Sequence, residues 1–210
     1  TTQEMDEATI NAAVQNIKED PEYDRIASRL LLKTIYKGAI GNYNEDSPDD
    51  LRLKHEAYFP KYVHEAVRDG RLDKRMAEKY DLEALAKAMK LEYDELLRYT
   101  GLSTLSTLYI LKDEVKDKWL ETPQIFWMRV AMGLAFNEEN PTLWAKKFYE
   151  KMARLEYIPG TSTNLGSGTT HPALSNCFLL EIHDDMSHIS KSVADIMMLS
   201  KGSGGIGASI

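Results

Sequence analysis

The sequence predicts an α/β protein that is mainly α-helical and that ends in the first strands and helix of a parallel sheet. Two observations support this fold class. Residues 157–210 contain only six charged residues but seven of the 12 glycines, whereas Asp, Glu, Lys and Arg make up 28% of the whole chain. Apolar residues recur at helical spacing before residue 157 and form a short continuous run after it. We therefore place a boundary near Tyr157, between a helical part and a sheet-forming part.

Length, charge and cysteine content exclude several classes of protein. A chain of 210 residues forms one large domain or two small ones. Its net charge of −7 lacks the basic surface expected of a protein that binds nucleic acid or an anionic membrane, and no apolar run approaches the ~20 residues of a membrane-spanning helix. Cys177 is the single cysteine, so an internal disulfide is excluded and a reducing, cytoplasmic compartment is expected.

Four of the seven prolines follow a residue that commonly caps the N-terminus of a helix. The cap side chain accepts a hydrogen bond from a free backbone N–H, and proline at the first helical position loses no hydrogen bond. Pro60 is predicted to break the second of the helices that these pairs start. Helix starts are therefore predicted at Asp20-Pro21, Ser47-Pro48, Thr122-Pro123 and Asn140-Pro141.

Apolar stripes at helical spacing define the other helices. The stripe behind Pro21 ends near Gly41, and Asp81 is predicted to cap a further helix. An earlier helix is indicated by Ile10, Ala13, Val14 and Ile17.

The tail is predicted to form a strand, a helix and a second strand. Residues 174–182 are almost all apolar, and the run is short enough for a buried strand. Asp184 and Asp185 are placed to cap a helix that stops at Gly202, and the glycines of residues 204–207 form a turn into the second strand. This order implies a parallel sheet. Because one such unit cannot bury both faces of its sheet, the sequence is expected to be a fragment or one chain of a split protein.

Each candidate functional motif also has a purely structural interpretation. The loop of residues 161–170 could donate hydrogen bonds to a phosphate, but its composition alone favours an exposed linker. Cys177 could be a redox thiol, yet a cysteine in an apolar strand is more often a small buried hydrophobe. Asp184 and Asp185 could accept hydrogen bonds from sugar hydroxyls or simply cap the helix.

The remaining motifs carry little information on function. The five histidines have no metal-ligand spacing, so we exclude a zinc site. Residues 202–207 match a phosphate-binding glycine loop weakly and lack the Lys-Ser/Thr pair of a nucleoside triphosphatase. Residues 121–124 are interpreted only as a capped helix start.

The order of the motifs is more informative than any one of them. The motifs are Glu121-Thr122-Pro123-Gln124 with Met128-Arg129 and Ala131, Gly160-Thr161-Ser162-Thr163 with Gly166-Ser167-Gly168-Thr169, Leu174-Ser175-Asn176-Cys177-Phe178-Leu179, Asp184-Asp185 with Ile189, and Ser203-Gly204-Gly205-Ile206-Gly207. With these motifs in this order and spacing, the chain strongly resembles the large, catalytic subunit of class I ribonucleotide reductase along its whole length. The resemblance implies that residues 1–20 are the last helix of an ATP-cone, residues 21–156 a helical N-terminal domain, and residues 157–210 the opening of a ten-stranded α/β barrel.

The resemblance implies roles for individual residues of the tail. Thr161 matches a position that helps to hold the substrate diphosphate. Cys177 matches the first cysteine of the redox pair and is the expected catalytic residue. Asn176 stands where the family often has Ser, and Gly204 and Gly205 match a glycine turn close to the substrate, so these three residues are also expected to bind substrate.

A second set of residues is implied at an allosteric site. Asp184, Asp185 and Met186 match the segment that reads the effector deoxynucleotide at the specificity site, which lies at a dimer interface. The family usually has Pro where Ser162 stands and Asn where Gly166 stands. Because proline fixes φ and glycine frees it, these two differences are expected to loosen the loop.

The resemblance also implies an activity and a set of partners. The enzyme is an oxidoreductase that reduces ribonucleoside diphosphates to deoxyribonucleotides for DNA replication by thiol and radical chemistry. No cofactor or metal is expected to bind this chain directly: a metal-containing small subunit supplies the radical, and ATP or deoxynucleoside triphosphates act as effectors with Mg²⁺. Cobalamin-dependent class II relatives share the tail motifs, so the radical source stays open. The expected partners are the rest of the large subunit, a second large subunit, the small subunit, nucleotides, and thioredoxin or glutaredoxin, with no nucleic acid or membrane.

Electron counting limits what this chain can do. Removing the ribose 2′-hydroxyl needs two electrons, which two thiols provide when they close to a disulfide, and Cys177 is one thiol. The second thiol, the radical cysteine and its Asn and Glu helpers are expected outside these 210 residues. The alternative is a non-catalytic nucleotide-binding or assembly module derived from a reductase.

Overall fold

The computed structural model describes residues 2–41, 47–113, 115–202 and 204–210, which form a helical body and a small strand–helix–strand unit. The helices of the body are α1 (Thr2–Gln15), α2 (Glu22–Ala39), α3 (Pro48–Arg68), α4 (Arg75–Glu78), α5 (Leu82–Ala86), α6 (Tyr99–Thr104), α7 (Pro123–Leu134), α8 (Pro141–Ala153) and α9 (Thr161–Gly166). A 3-10 helix (Leu91–Leu96) precedes α6, a π-helical turn (Leu105–Tyr109) follows it, and β1 (Lys112–Asp113) pairs antiparallel with β2 (Lys118–Trp119). The strand–helix–strand unit consists of β3 (Cys177–Glu181), α10 (Met186–Lys201) and β4 (Gly205–Ser209).

The predicted fold class, α/β and mainly helical, is confirmed. The ten-stranded barrel and the three domain boundaries stay predictions, since the tail contributes two paired strands to the described residues. Within the described part of the chain, none of the helices combines the length and apolar character needed to cross a bilayer.

The helix starts marked by proline are confirmed. Ser47, Thr122 and Asn140 cap the helices that follow them, because each side chain accepts a hydrogen bond from the backbone N–H three residues later. Helix α2 begins at Glu22, whose amide donates to the Asp20 carboxylate over 2.9 Å. These starts depend only on contacts within one turn, which is why the sequence predicts them well.

The other predicted helix ends also lie where expected. Helix α2 ends at Ala39, and the chain then turns at Gly41, whose φ is +85°. Asp81 caps α5 by accepting a hydrogen bond from the Ala84 N–H. Helix α10 ends at Lys201 and is followed by Gly202, as glycine commonly follows a helix C-terminus.

The prediction that Pro60 breaks the third helix is wrong. Helix α3 runs without interruption through Pro60. A proline inside a helix removes one hydrogen bond and typically costs about 3 kcal/mol. Phe59, Tyr62 and Val63, which lie on either side of it, are all buried in the core. Burial of three large apolar side chains offsets the local cost, so tertiary packing decides the outcome.

Helix α7 is the centre of the helical body. It packs on α8, on the 3-10 helix and on α9, and all of its residues except Leu134 are buried. A helix that is apolar on every side is stable only when protein surrounds it. The predicted early helix, α1, packs on α2 and buries Ile10 and Ala13. The other elements of the body are thus positioned directly or indirectly against α7.

The parallel strand–helix–strand unit predicted for the tail is confirmed. Strands β3 and β4 are parallel, with Cys177 opposite Gly205 and Glu181 opposite Ser209, and α10 forms the crossover between them. The prediction that the first strand is buried is wrong, because Cys177 is exposed and Leu179 is 88% exposed. A single helix covers only one face of a two-stranded sheet, so alternate residues of β3 face solvent.

A network of hydrogen bonds around a buried carboxyl group joins four elements of the helical body. Asp94, in the 3-10 helix, is 2% exposed and accepts hydrogen bonds from the Tyr36 hydroxyl on α2 and from Gln124 Nε2 on α7, the latter over 2.6 Å. The Tyr149 hydroxyl on α8 donates to Gln124 Oε1. Burial raises the pKa of Asp94 to about 7, and the two hydrogen bonds oppose this shift only in part.

His55 lies beside this network, and burial shifts its pKa in the opposite direction. Its ring meets the Tyr36 ring edge-on, with 5.1 Å between the ring centres. Its Nδ1 lies 3.0 Å from the Leu51 carbonyl oxygen. Burial lowers the pKa of His55 to about 4, although the hydrogen bond to Leu51 opposes the change. His55 is therefore neutral in the folded protein at neutral pH.

Asp94→Asn is expected to change how stability depends on pH. In the wild-type protein the folded state keeps a proton on Asp94 between pH 3.8 and about 7 that the unfolded state releases. The free energy of unfolding contributed by Asp94 therefore falls as pH rises through this window, with a slope that approaches ~1.4 kcal/mol per pH unit. Asparagine does not titrate, yet it retains an acceptor for Gln124 and a group that can pair with the Tyr36 hydroxyl.

Urea titrations at several pH values from about 5 to about 8 measure this effect. The informative quantity is the difference in free energy of unfolding between the two proteins. His55 titrates in the opposite sense, losing stability as pH falls below its ordinary pKa, but it is present in both proteins and cancels. Two stability curves that stay parallel through the window would contradict the raised pKa of Asp94.

Candidate functional site

Residues 157–173 form a folded segment on the surface of α7. Ser162, Thr163, Asn164 and Ser167 are all buried. The hydroxyls of Thr163 and Ser167 donate to backbone carbonyls, the second of them to Val130 on α7 over 2.8 Å. The interpretation of this stretch as an exposed linker is therefore wrong. Its short hydroxyl side chains pair with backbone groups, which allows a polar segment to be buried.

A fully buried arginine holds this segment in place. Arg129 of α7 is 0% exposed. Its Nη1 donates to the Ser167 carbonyl over 2.7 Å, and Nη1 and Nη2 each lie 3.4 Å from the Asn164 carbonyl oxygen. Nη2 also donates to the Tyr109 carbonyl over 3.2 Å. The planar guanidinium suits this position because its five N–H donors can reach several carbonyls at once.

Glu121, which is also 0% exposed, neutralises the charge of this arginine. Its Oε1 accepts hydrogen bonds from Arg129 Nε over 2.7 Å and from the Tyr62 hydroxyl over 2.6 Å, and its Oε2 accepts from the Leu111 N–H over 3.0 Å. Burial, and then the charge of Glu121, raise the pKa of Tyr62 well above its ordinary value. Both ends of the ion pair are thus hydrogen-bonded, which is the condition for tolerating such a pair away from water.

Sequence reasoning missed this ion pair. Residues 121–124 were expected to be only a capped helix start, and their cap is confirmed. One signal was available, because Arg129 is the single charged residue in the apolar sequence of α7. A lone charge on a helix of this kind needs a buried partner. The sequence does not say which carboxylate provides it.

Two glycines allow the segment to approach α7 closely. A Cβ atom at Gly133 would lie 2.2 Å from the Gly168 amide nitrogen. Gly168 itself has a φ of +79°, a conformation that side chains other than glycine rarely adopt. A larger residue at either position would displace the segment from the helix.

Asn176 connects this segment to the parallel sheet. Its Oδ1 accepts a hydrogen bond from the Ser162 N–H in the first turn of α9 over 2.6 Å, and its carbonyl accepts one from the Gly205 N–H over 2.7 Å. Cys177 follows Asn176 in the chain and lies opposite Gly205 in the sheet. The structure therefore brings the turn that begins at Thr161, the thiol and the start of β4 together.

The prediction that residues 204–207 form a turn is wrong from Gly205 onwards, because residues 205–207 already lie in β4. Gly204 and Gly205, at the start of this strand, leave space for their neighbours. A Cβ atom at Gly204 would lie 2.5 Å from the Phe178 ring, so packing requires a glycine there. A Cβ atom at Gly205 would lie 3.9 Å from Cys177 Sγ, an ordinary contact distance. Gly205 thus lies beside the thiol, at a distance where a Cβ atom would touch the sulfur without a clash.

Thr161 and Cys177 are both accessible to solvent. Thr161 begins α9, and its hydroxyl oxygen lies 3.4 Å from that of Tyr109. Cys177 is a free, exposed thiol, so its interpretation as a small buried hydrophobe is wrong. In the described residues, β3 and β4 form a two-stranded sheet, and no further strand or helix covers the thiol on this face. Across the described ranges, no three His, Cys, Asp or Glu side chains are grouped closely enough to hold a metal ion.

The three residues expected at the effector site lie at the far end of β3. Asp185 caps α10, its carboxylate accepting from the backbone and the hydroxyl of Ser187, and this hydroxyl is the main cause that lowers the pKa of Asp185. Asp184 and Met186 are exposed. Cys177 is the first residue of β3 and Glu181 the last, so about 13 Å of strand separates the thiol from this end. The thiol and the acidic pair therefore belong to two different places on the molecule.

A cavity of about 760 Å³ lies elsewhere, between α2, the start of α3 and residues 91–98. Tyr36 and Asp94 line it, and both cations and acids surround it, such as Arg29 and Glu95, whose charged groups are 4.0 Å apart. None of the residues expected to bind substrate or effector lines this cavity. The candidate site is therefore the cluster around Asn176 and Cys177.

Comparison with known proteins gives a consistent set of matches. Residues 95–172 match the family described as the all-alpha domain of ribonucleotide reductase. The chain is 42% identical over 200 residues to ribonucleoside-diphosphate reductase subunit alpha of Chlamydia trachomatis, a match that covers 95% of the chain and 19% of the relative. It is 34% identical to the subunit alpha of Helicobacter pylori, over 99% of the chain and 25% of the relative. It is 27% identical to that of phage T4, over the whole chain and 27% of the relative.

The fold and the site together define an all-α domain that leads into a parallel sheet with a thiol at the first position of its first strand. The chain belongs to the ribonucleotide reductase large-subunit family. It spans only about a fifth to a quarter of the length of these curated relatives.

Breaking the Glu121–Arg129 pair is expected to destabilise the protein strongly. Glu121→Gln removes the counter-charge of Arg129, and Arg129→Met leaves the Glu121 carboxylate buried without one. Each single change is expected to lower the free energy of unfolding by about 3–5 kcal/mol, and the double change by clearly less than the sum. Urea denaturation of the wild-type, single-variant and double-variant proteins measures this coupling.

The exposed pair Lys191–Asp195 provides a matched control. Its N···O distance of 2.8 Å is close to the 2.7 Å of the buried pair, but its side chains are 72% and 43% exposed. The same cycle with Lys191→Met and Asp195→Asn is expected to give a coupling below about 1 kcal/mol. An equally small coupling at Glu121–Arg129 would show that burial does not strengthen that pair.

Proposed function

We propose that this chain is part of the large subunit of ribonucleoside-diphosphate reductase, in which it supplies one redox thiol, part of the substrate-phosphate loop and part of the allosteric specificity site. The observation that supports this most directly is the position of Cys177. The thiol is exposed, lies beside Gly205, and is joined through Asn176 to the turn that begins at Thr161. A nucleotide bound with its phosphates at Thr161 would present its sugar towards this thiol.

The proposed chemistry of Cys177 is that of a reductant. In the reduction the ribose C2′–O bond breaks, the hydroxyl leaves as water, and two electrons come from two thiols that become a disulfide. Cys177 supplies one of these thiols, and another part of the large subunit supplies the second. The radical that starts the reaction comes from the metal-containing small subunit, and thioredoxin or glutaredoxin restores the thiols.

Thr161 is proposed to bind the diphosphate of the substrate. Its hydroxyl is exposed at the start of a turn whose carbonyls are held by Arg129, so it is presented from a rigid base. A hydroxyl can donate a hydrogen bond to a phosphate oxygen. The names of the relatives specify ribonucleoside diphosphates, which agrees with a diphosphate at this position.

Asp184, Asp185 and Met186 are proposed to bind an effector deoxynucleotide at the interface of two large subunits. Their separation from Cys177 along β3 supports a regulatory site that is distinct from the substrate site. The Asp185 carboxylate already caps α10, which fixes its position, while Asp184 and Met186 are exposed and available for contact. Effectors would bind here with Mg²⁺, and a cytoplasmic location would keep the Cys177 thiol reduced.

Cys177→Ser is expected to abolish deoxynucleotide formation by the large subunit that contains this chain. Serine has nearly the same size, so binding of nucleoside diphosphate is expected to stay within about twofold of wild type, but a hydroxyl cannot form the disulfide. The measurement combines a turnover assay, with small subunit and thioredoxin present, and an equilibrium binding assay.

Ser175→Ala is the matched control, since this residue precedes β3 by only two positions and has no assigned role. It is expected to keep full turnover. Retained turnover in Cys177→Ser would remove the role assigned to this thiol and would favour a nucleotide-binding module without chemistry.

A further inference from the structure

The amide oxygen and the backbone carbonyl of Asn176 are already engaged within the protein. Its amide oxygen accepts the Ser162 N–H over 2.6 Å, and its backbone carbonyl accepts the Gly205 N–H over 2.7 Å. We infer that Asn176 is a positioning residue: it holds the turn that begins at Thr161 at a fixed distance from the Cys177 thiol and does not itself contact the substrate. This inference rests on the proposed function of Thr161 and Cys177.

The geometry of Asn176 makes it a two-ended connection. The side chain is bonded to the first turn of α9, and the backbone is bonded to the first residue of β4. Cys177 is the next residue along the chain, and Thr161 is the residue before Ser162. Cys177 therefore adjoins Asn176 itself, and Thr161 adjoins the residue at one end of the connection, so the two bonds limit how far either residue can move relative to the other.

The side-chain amide of Asn176 occupies the space where a side chain of residue 160 would lie. A Cβ atom at Gly160 would lie 1.6 Å from Asn176 Nδ2 and 2.7 Å from its Cγ. The backbone of Gly160 has φ −67° and ψ 165°, a conformation that any residue adopts. Glycine is thus required there by the space that the amide occupies and not by the backbone. Gly160 and Asn176 form a matched pair.

Helix α9, the turn that begins at Thr161, is held near each end by a different residue. Arg129 holds its later part through the carbonyls of Asn164 and Ser167, and Asn176 holds its beginning through the Ser162 amide. The exposed Thr161 hydroxyl lies at the end that Asn176 controls. Loss of the Asn176 side chain is therefore expected to affect contacts with phosphate more than the attachment of the turn to α7.

A double-variant cycle on the large subunit that contains this chain tests the inference. The four proteins are the wild type, Asn176→Ala, Gly160→Ala and the double variant. Each single change is expected to weaken binding of a ribonucleoside diphosphate about fivefold, and to leave binding of the same ribonucleoside without phosphates unchanged. In the double variant, Gly160→Ala is expected to add nothing, because the amide that its methyl group would displace is gone.

Two further measurements separate positioning from a general loss of structure. Hydrogen exchange at the Ser162 amide is expected to speed up in Asn176→Ala and to stay slow in Asn176→Asp, which keeps the acceptor. The rate at which iodoacetamide alkylates Cys177 is expected to change less than twofold, since the bond between the Asn176 carbonyl and Gly205 does not involve the side chain.

The outcomes are distinguishable. Equal losses of affinity for the diphosphate and for the bare ribonucleoside in Asn176→Ala would indicate direct contact with the sugar and would overturn the inference. Additive effects of the two substitutions would also overturn it. If the wild-type large subunit binds no diphosphate, the proposed function fails, and protection of the Ser162 amide alone then decides whether Asn176 holds the turn.

Discussion

The buried ion pair between Glu121 and Arg129 is the interaction on which the arrangement of the candidate site depends. One guanidinium reaches the carbonyls of Tyr109, Asn164 and Ser167, and thereby fastens the surface segment to the central helix α7. The rest of the body surrounds α7, so this helix is firmly held. The bonds from Arg129 therefore also hold the short, polar turn that begins at Thr161. Without the carboxylate, the same guanidinium would be a charge isolated from water.

Helix α7 carries two polar networks at different points along its length. Near its start, Gln124 takes part in the network of Asp94, whose carboxyl group has a pKa raised by burial to about 7. Further along, Arg129 holds the site segment through hydrogen bonds to the backbone carbonyls of Asn164 and Ser167. The network that supports the site is thus separate from the network of the buried carboxyl group, which lies among the body helices.

The sequence predicts features that depend on neighbouring residues and fails where distant contacts decide. The caps at Ser47, Thr122 and Asn140 are formed within one helical turn, and the parallel unit follows from the change of periodicity after residue 157. Pro60 was misjudged because the buried side chains around it outweigh a local cost. The order of the motifs identified the residues of the candidate site. It could not predict the Glu121–Arg129 pair or the bond from Ser162 to Asn176, because only the fold places these residues next to each other.

The bond between Ser162 and Asn176 makes these two positions interdependent. It needs an N–H at residue 162 and an acceptor at residue 176 that reaches it. Proline at residue 162 would fix the backbone φ there but would have no N–H to donate. A substitution that removes either group therefore also removes what the other position contributes, so the two residues act as one unit when sequence changes in this segment are planned.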